Sequence, residues 1–473
     1  MNNSKRLICA ISMLFMFFSK FIFSIPGFTP EAVQLMGIFI GAILLWLFVA
    51  IDWTSVMVLL ALAMVPGIGI SKVMTSSLGN NTIAFLIFSM ILTYSLSSTG
   101  VLRRIALIFI NSKWAAKGPW HFLFMYLLSV LIIGSCIAPT VLFLLFYSLV
   151  QEIYTELDIQ KGNRYAKLLM VGTAIVTSIS CAMTPIAHTF PLMALGFYET
   201  ETGIAISYFE YLKYGLPIGI SLFAIFFGLI YTFNRNHTLT FPNIKINSIS
   251  LQNKTNITMP EITSSVVFVI VVCLWIVIGI IPSQVPNLKA LTTTGPAMMG
   301  ICILSLISYK GRPILNFSDA IIKGVSWKSI ILCAATLSLG SFLTSPDFGI
   351  TVLIGEKFAM LLNGASPELI MLLIVSMAIL LTNVMSNIVT TTVVYNISMP
   401  VILAMVATGM GIRPELVTIL IGLGASLAYA TPPAIAHIAI AAGSEWATPK
   451  DMLKYGGIMA VISVIIVWLI ALL

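Results

Sequence analysis

The chain has 473 residues, of which 59% are hydrophobic and 8% charged, with a mean hydropathy of +1.06. Its 24 Lys and Arg and 16 Asp and Glu cannot cover the surface of a soluble globule of this length, so the composition reads as an all-α polytopic membrane protein. The formal net charge of +8 then reflects Lys and Arg held in short cytoplasmic loops, rather than affinity for nucleic acid.

A crossing helix needs about 20 apolar residues, because no water reaches its backbone groups in the lipid. Lys5-Arg6 followed by the apolar stretch 7–25 has the outline of a signal peptide. The stretch is too long for a signal core and no small-x-small site follows it, so residues 1–30 are expected to form an uncleaved leading transmembrane helix. Apolar segments follow at 32–51, 53–66 and 82–98, then a basic patch of Arg103, Arg104, Lys113 and Lys117, then segments at 119–137 and 140–152. After a charged connection over 152–167 come a segment at 168–183, a break at 184–191 and a span at 212–233. Residues 234–262 are polar and read as a cytoplasmic linker between two halves, 31–233 and 263–473. The second half continues at 264–281, 292–308, 327–343, 349–362, 367–383, 389–410 and 415–430, with a break at 431–437 and a last span at 452–472. Segments 140–152 and 349–362 are too short to cross alone, and short apolar pieces pair into re-entrant hairpins where protein or a wet cavity surrounds the turn. Basic residues put the N-terminus, the loop near residue 110 and the linker in the cytoplasm and the C-terminus outside. One leading helix and two inverted repeats then give about eleven spans.

The two halves echo one another. Glu210-Tyr211-Leu212-Lys213-Tyr214-Gly215 returns as Asp451-Met452-Leu453-Lys454-Tyr455-Gly456, and the Ile186-Ala187-His188 after Thr184-Pro185 returns as Ile435-Ala436-His437 after Thr431-Pro432-Pro433. Such repeats mark transporters whose binding site lies where interrupted helices of the two halves meet. Proline removes a backbone donor, so each Thr-Pro is expected to unwind its helix and expose carbonyls. His188 and His437 sit at these breaks as hydrogen-bond donors to an anion, as a pH-sensitive element, or as satisfied core residues.

A second pair of polar stretches, Gly134-Ser135-Cys136-Ile137-Ala138-Pro139-Thr140 and Thr382-Asn383-Val384-Met385-Ser386-Asn387 with Thr390, Thr391 and Thr392, lies about half a chain apart. At hairpin turns such residues leave helix N-termini for anions and carbonyls for sodium, or they simply join packed helices. The apolar segments hold almost no Asp or Glu to act as a proton relay. Asp52-Trp53, Glu210, Lys213, Asp451 and Lys454 read as anchors at the membrane surface, and Asn80-Asn81-Thr82 as a helix cap. The six cysteines are scattered without metal or redox spacing and read as structural; no cofactor is expected.

At these residues, from about residue 30 to the end, the chain resembles the divalent anion/sodium symporter family. The resemblance implies two hairpins tipped by Ser-Asn-Thr motifs, two unwound helices ending in Thr-Pro-Pro-Asn, and a homodimer whose transport domain moves like an elevator against a fixed scaffold. Here the first motif is replaced by Ala138-Pro139-Thr140 and the second survives as Ser386-Asn387-Ile388; Thr431-Pro432-Pro433 is followed by Ala434, and the first break reads Thr184-Pro185-Ile186. Carried onto these positions, the substrate, a di- or tricarboxylate or similar small anion, would meet Ser135, Thr140, His188, Asn383, Ser386, Asn387, Thr390, Thr391, Thr431, Pro432 and His437. Sodium, the implied coupling ion, would meet Ser135, Ala138, Thr184, Ser386, Asn387 and Ala430. Two other readings stay open: a proton-linked, sodium/proton or anion exchanger, and an intramembrane enzyme, for which neither Gly-x-Ser-x-Gly nor His-Glu-x-x-His is present.

Overall fold

A computed structural model describes residues 3–156, 159–235, 257–280, 291, 292, 294–343, 345–350, 366–407, 409 and 411–473. Among these the regular structure is helical, apart from a two-residue antiparallel ladder of Ser308–Tyr309 with Arg312–Pro313. Helices α1 (Asn3–Ile22) and α2 (Pro30–Phe48) pack along each other, because Gly37 and Gly41 leave room for Ser19 and Met16. The apolar stretch 53–66 does not run as one element. It ends as α3 (Trp53–Ala63), and Gly67 and Gly69, both at positive φ, turn the chain into α4 (Gly69–Ser76). Asn80 caps α5 (Asn81–Thr99), its Oδ1 accepting from the Thr82 N–H at 2.8 Å.

Helix α6 (Val101–Ile110) carries Arg103 and Arg104 of the basic patch, and Arg104 ties it to the start of α12 (Met259–Ile280). Arg104 Nε donates to Glu261 Oε1 at 3.1 Å and Nη2 to Oε2 at 3.2 Å, and the same carboxylate accepts from the N–H and hydroxyl of Thr258. Glu261 is buried, so removing its charge strands the guanidinium. Glu261→Gln should lower stability by about 2 kcal/mol, read as an earlier thermal transition of the purified protein; an unshifted transition would show the pair to be ornamental.

Seven described helices are long and apolar enough to cross a membrane, and α14 (Phe317–Gly324) with α15 (Trp327–Leu343), bent by 71°, makes a further candidate. The other apolar helices are shorter: α3, α7 (Pro119–Gly134), α13 (Thr294–Leu306), α16 (Pro367–Thr382) and α18 (Pro414–Ser426). The segment expected at 140–152 is longer than its apolar run, since α8 (Pro139–Glu156) continues through Gln151 and Glu152. That expected at 349–362 and most of the linker lie outside the described residues.

Burial sorts the helices. Helix α9 (Arg164–Ala182) is 94% buried over its most apolar window, whereas α11 (Tyr208–Asn234), α12 and α20 (Pro449–Ala471) are 33–39% buried, as helices facing lipid would be. The small residues Gly172, Thr173, Thr177, Ser178 and Ser180 let α9 serve as the central post.

Candidate functional site

The first hairpin and both broken helices meet around α9, and the second hairpin packs on α18. The first hairpin is α7, a turn over 135–138, and α8; the second is α16, a turn over 383–386, and α17 (Asn387–Ala407). Helix α9 breaks over 183–188 before α10 (Thr189–Thr202), and α18 breaks over 427–435 before α19 (Ala436–Ala442). The second break therefore starts earlier than the Thr-Pro-Pro suggests, and His437 belongs to α19 rather than to the break. The chain leaves the helix at Leu427 because side chains, not the next helical turn, take over its backbone groups.

Chief among those side chains is Asn383, in the second hairpin turn. Its Oδ1 accepts from the N–H groups of Tyr429 (2.7 Å) and Ala430 (2.9 Å), and its Nδ2 donates to Ile379 O (2.7 Å) and Leu427 O (3.0 Å). The amide replaces the ladder that unwinding removed. Thr431 Oγ1 donates to Asn383 O at 2.5 Å, and Thr184 Oγ1 makes the matching bond to Ser135 O in the first half. Each Thr-Pro thus fastens its break to a hairpin turn. The first turn has no amide to do the rest: Cys181 Sγ reaches Gly134 O and Ile137 O at 3.7 Å, a weaker link.

The repeated Leu-Lys-Tyr-Gly phrase acts on the same places. A Cβ on Gly215 would lie 2.4 Å from Met183 O, and one on Gly456 would lie 2.4 Å from Tyr429 O, so each glycine lets the following long helix press against a break. The charges ahead of the glycines are surface ties: Glu210 pairs with Lys213 and Arg413, and Asp451 caps α20 and pairs with Lys167 at 2.9 Å.

The halves cross. Helix α8 packs on α19, α17 on α10, and α9 on both α18 and α19. Ser178 on α9 donates to Ala428 O at 2.6 Å and meets His437 Nε2 at 2.8 Å. The single Ser178 proton goes to the carbonyl, so His437 Nε2 is the donor in this pair. Phe143 of α8 lies against His437, ring centroids 5.9 Å apart, and His188 lies on Phe190 at 4.1 Å.

Several buried polar atoms here have no protein partner: both amide atoms of Asn387, Thr390 Oγ1, Asn396 Oδ1, and Nδ1 of His188 and His437. Asn387 is 1% exposed and Thr390 fully buried. The other sequence candidates divide. Ala430 is buried, Ser386, Thr431, Pro432 and Ala138 are half-buried, and Thr140 is exposed. Ser135 Oγ is spent on Ile132 O, and Thr391 Oγ1 on Asn387 O in its own helix.

Sequence reasoning missed two features. Glu201, in the last turn of α10, accepts from Tyr395 of α17 at 2.9 Å while its other oxygen is buried without a partner. The near absence of carboxylates from apolar runs hid it, because Glu199 and Glu201 stand where the run has already ended. Tyr208 of α11, which faces Thr184, lines with Pro185, Glu199, Thr82 and Trp275 a cavity of about 560 Å³ beside the first break. Among the described residues no three His, Cys, Asp or Glu are gathered as a metal site.

A family model described as "Sodium:sulfate symporter transmembrane region" matches residues 4–473. Sodium-dependent dicarboxylate transporter SdcS of Staphylococcus aureus is 25% identical over 475 aligned positions, covering 95% of this chain and 88% of that protein. An uncharacterised transporter of Haemophilus influenzae is 23% identical over 93% of this chain and 91% of its own. One of Methanocaldococcus jannaschii is 24% identical, with 66% of each chain covered. In fold the chain is similar to the YdaH transporter of Alcanivorax borkumensis (TM-score 0.58, 11% identity, 85% of this chain and 87% of that one). It is also similar to MtrF of Neisseria gonorrhoeae (TM-score 0.57, 12% identity, 99% and 95%). A match over nearly every residue, on a bundle of apolar helices interrupted twice beside two hairpins, places this chain in the sodium:sulfate symporter family of multi-pass membrane transporters.

Proposed function

We propose that this chain is an elevator-type secondary transporter that carries a small carboxylate anion together with sodium. The observation that carries the reading is the set of buried, unpartnered atoms on Asn387 and Thr390, one helical turn apart at the N-terminus of α17 and next to the turn that Asn383 holds against the second break. A buried polar group left empty costs about 1–3 kcal/mol, so such a set is stable when a ligand fills it. The helix N-terminus favours an anion there, and the free Asn387 Oδ1 with carbonyls of the adjoining turn and break suits sodium, which takes oxygen ligands. The first hairpin offers fewer vacant oxygens, with Ser135 Oγ and Thr184 Oγ1 already engaged. This favours one strong sodium site over two equal ones.

In this reading residues 31–233 and 263–473 are inverted repeats, the chain forms a homodimer in the cell membrane, and its N-terminus is cytoplasmic and its C-terminus external. Uptake into proteoliposomes should require sodium and saturate with it along a hyperbola of Hill coefficient about 1; unchanged uptake when choline replaces sodium refutes the coupling. A proton-linked exchanger is the second reading, and the Glu201–Tyr395 contact favours it. It predicts that sodium replacement leaves flux intact and that Glu201→Gln abolishes its response to pH.

A further inference from the structure

Three acidic side chains gather around the end of α10, and one of them is left over. Glu201 accepts from Tyr395 and Glu415 from Tyr198. The carboxylate of Glu199, half-buried in the last turn of α10, meets no cation or hydrogen-bond donor among the described residues.

Leu192, Leu195, Gly196 and Glu199 stand at i, i+3, i+4 and i+7 on one face of α10, and that face lines the cavity of about 560 Å³ beside the first break. Phe85 of α5, Tyr208 of α11 and Trp275 of α12 line the same cavity; the Trp275 ring centroid is 5.5 Å from that of Phe85 and 5.8 Å from that of Tyr208. Glu199 is its only carboxylate, and no Lys, Arg or His lines it among the described residues. A smaller cavity of about 300 Å³, with Thr75, Ser76, Asn80 and Thr200 on its wall, shares Glu199 and Asn81 with the first. The carboxylate thus borders a mostly apolar chamber and a polar one.

A carboxylate held against hydrocarbon without a partner is costly, and a cation removes the cost. The negative end of the α10 dipole favours the same sign, and aromatic faces attract ammonium groups. A hard metal ion would need a shell of oxygens, which these walls do not supply. An anion would meet a like charge. We propose that the cavity binds an organic cation, its ammonium group paired with Glu199 and its apolar body against Phe85, Tyr208 and Trp275.

The test is calorimetry and thermal shift on the purified full-length protein in phosphatidylcholine nanodiscs at pH 8, with empty discs subtracted. The probes are 4-phenylbutylamine, 4-phenylbutanol and 4-phenylbutyrate, which share one apolar body and differ in charge. The amine should bind at least tenfold more tightly than the alcohol, and the carboxylate more weakly than either. Glu199→Gln should bring the amine down to the alcohol and leave the alcohol unchanged, whereas Ala205→Trp, on the cavity wall, should weaken both. Amine binding should survive Asn387→Ala, which separates this site from the anion site of the proposed function. Repeating the titration with phosphatidylethanolamine in the discs identifies the source of the ammonium group: a loss of amine affinity assigns the site to that lipid headgroup and an unchanged affinity to a soluble amine, and either result supports the cation site. Equal binding of amine and alcohol by the wild type, or amine binding that withstands Glu199→Gln or Ala205→Trp, overturns the proposal and leaves the anion transporter standing.

Discussion

Asn387→Ala should abolish uptake while leaving the thermal stability of the purified protein within about 0.5 kcal/mol of wild type, and Asn383→Ala should cost about 4 kcal/mol and prevent accumulation of folded protein. Two asparagines of one hairpin stand four positions apart, yet their surroundings are opposite. Asn383 makes four hydrogen bonds, two of them to N–H groups of the unwound segment, and its removal strands those donors in a buried place. Asn387 makes none through its side chain, so truncating it strands nothing. Stability alone would favour leucine over a buried amide with both ends open, and the proposed ligand gives that amide a use. Radiolabelled uptake in proteoliposomes, read beside a melting curve of each variant, separates the two roles. Normal transport by Asn387→Ala would remove the substrate site from this hairpin, and a stable, folded Asn383→Ala would show that the second break stays unwound without its amide.

Much of this arrangement was legible in the chain because it rests on backbone chemistry. Thr-Pro in an apolar run announces a broken helix whatever surrounds it; the first break lies at its proline, and the second contains its prolines although it opens four residues before Thr431. The polar stretches around Ser135 and Asn383 fall at hairpin turns for the same reason: an apolar helix of 16 residues that stops at small and amide residues has nowhere to go but back. What could not be read was which of these polar groups spend their capacity on the fold. Asn383, Asn387, Thr390 and Thr391 have equivalent standing in sequence, but Asn383 and Thr391 are consumed by carbonyls and N–H groups while Asn387 and Thr390 are not. That division depends on which backbone groups the unwound segment offers within 3 Å, a property of tertiary placement. The second break differs from its expected extent of 431–437 for a related reason: the Asn383 amide draws its start back to Leu427, and helix resumes at Ala436, one residue before His437.

The second large effect concerns the glycine that closes each repeated phrase. Gly456→Ala should reduce the amount of folded transporter severalfold and abolish uptake by what remains, whereas Gly457→Ala, one residue on, should be neutral or stabilise by up to about 1 kcal/mol. Alanine is the better helix former at both positions, so propensity alone predicts a gain at each. At Gly457 the new methyl meets only Leu453 Cδ1 at 4.0 Å. At Gly456 it would lie 2.4 Å from Tyr429 O, 2.6 Å from Tyr429 C and 2.9 Å from Ala430 Cα, all backbone atoms that Asn383 holds in place. No rotamer relieves that clash; either α20 withdraws or the break moves, at about 1–3 kcal/mol and with the site displaced. Gly215→Ala meets the same obstacle at Met183 O, 2.4 Å away, and should fail in the same manner. Gly219, one turn further along α11, should fall between these two and Gly457, since its neighbour is the flexible Met183 side chain, which can swing aside. The graded series Gly457, Gly219, Gly215 and Gly456, scored by melting temperature and by uptake per folded molecule, therefore tests whether the phrase recurs because a long helix must touch an unwound one. Equal tolerance across the four positions would show that the contact has no bearing on transport and that the repetition of Leu-Lys-Tyr-Gly has another cause.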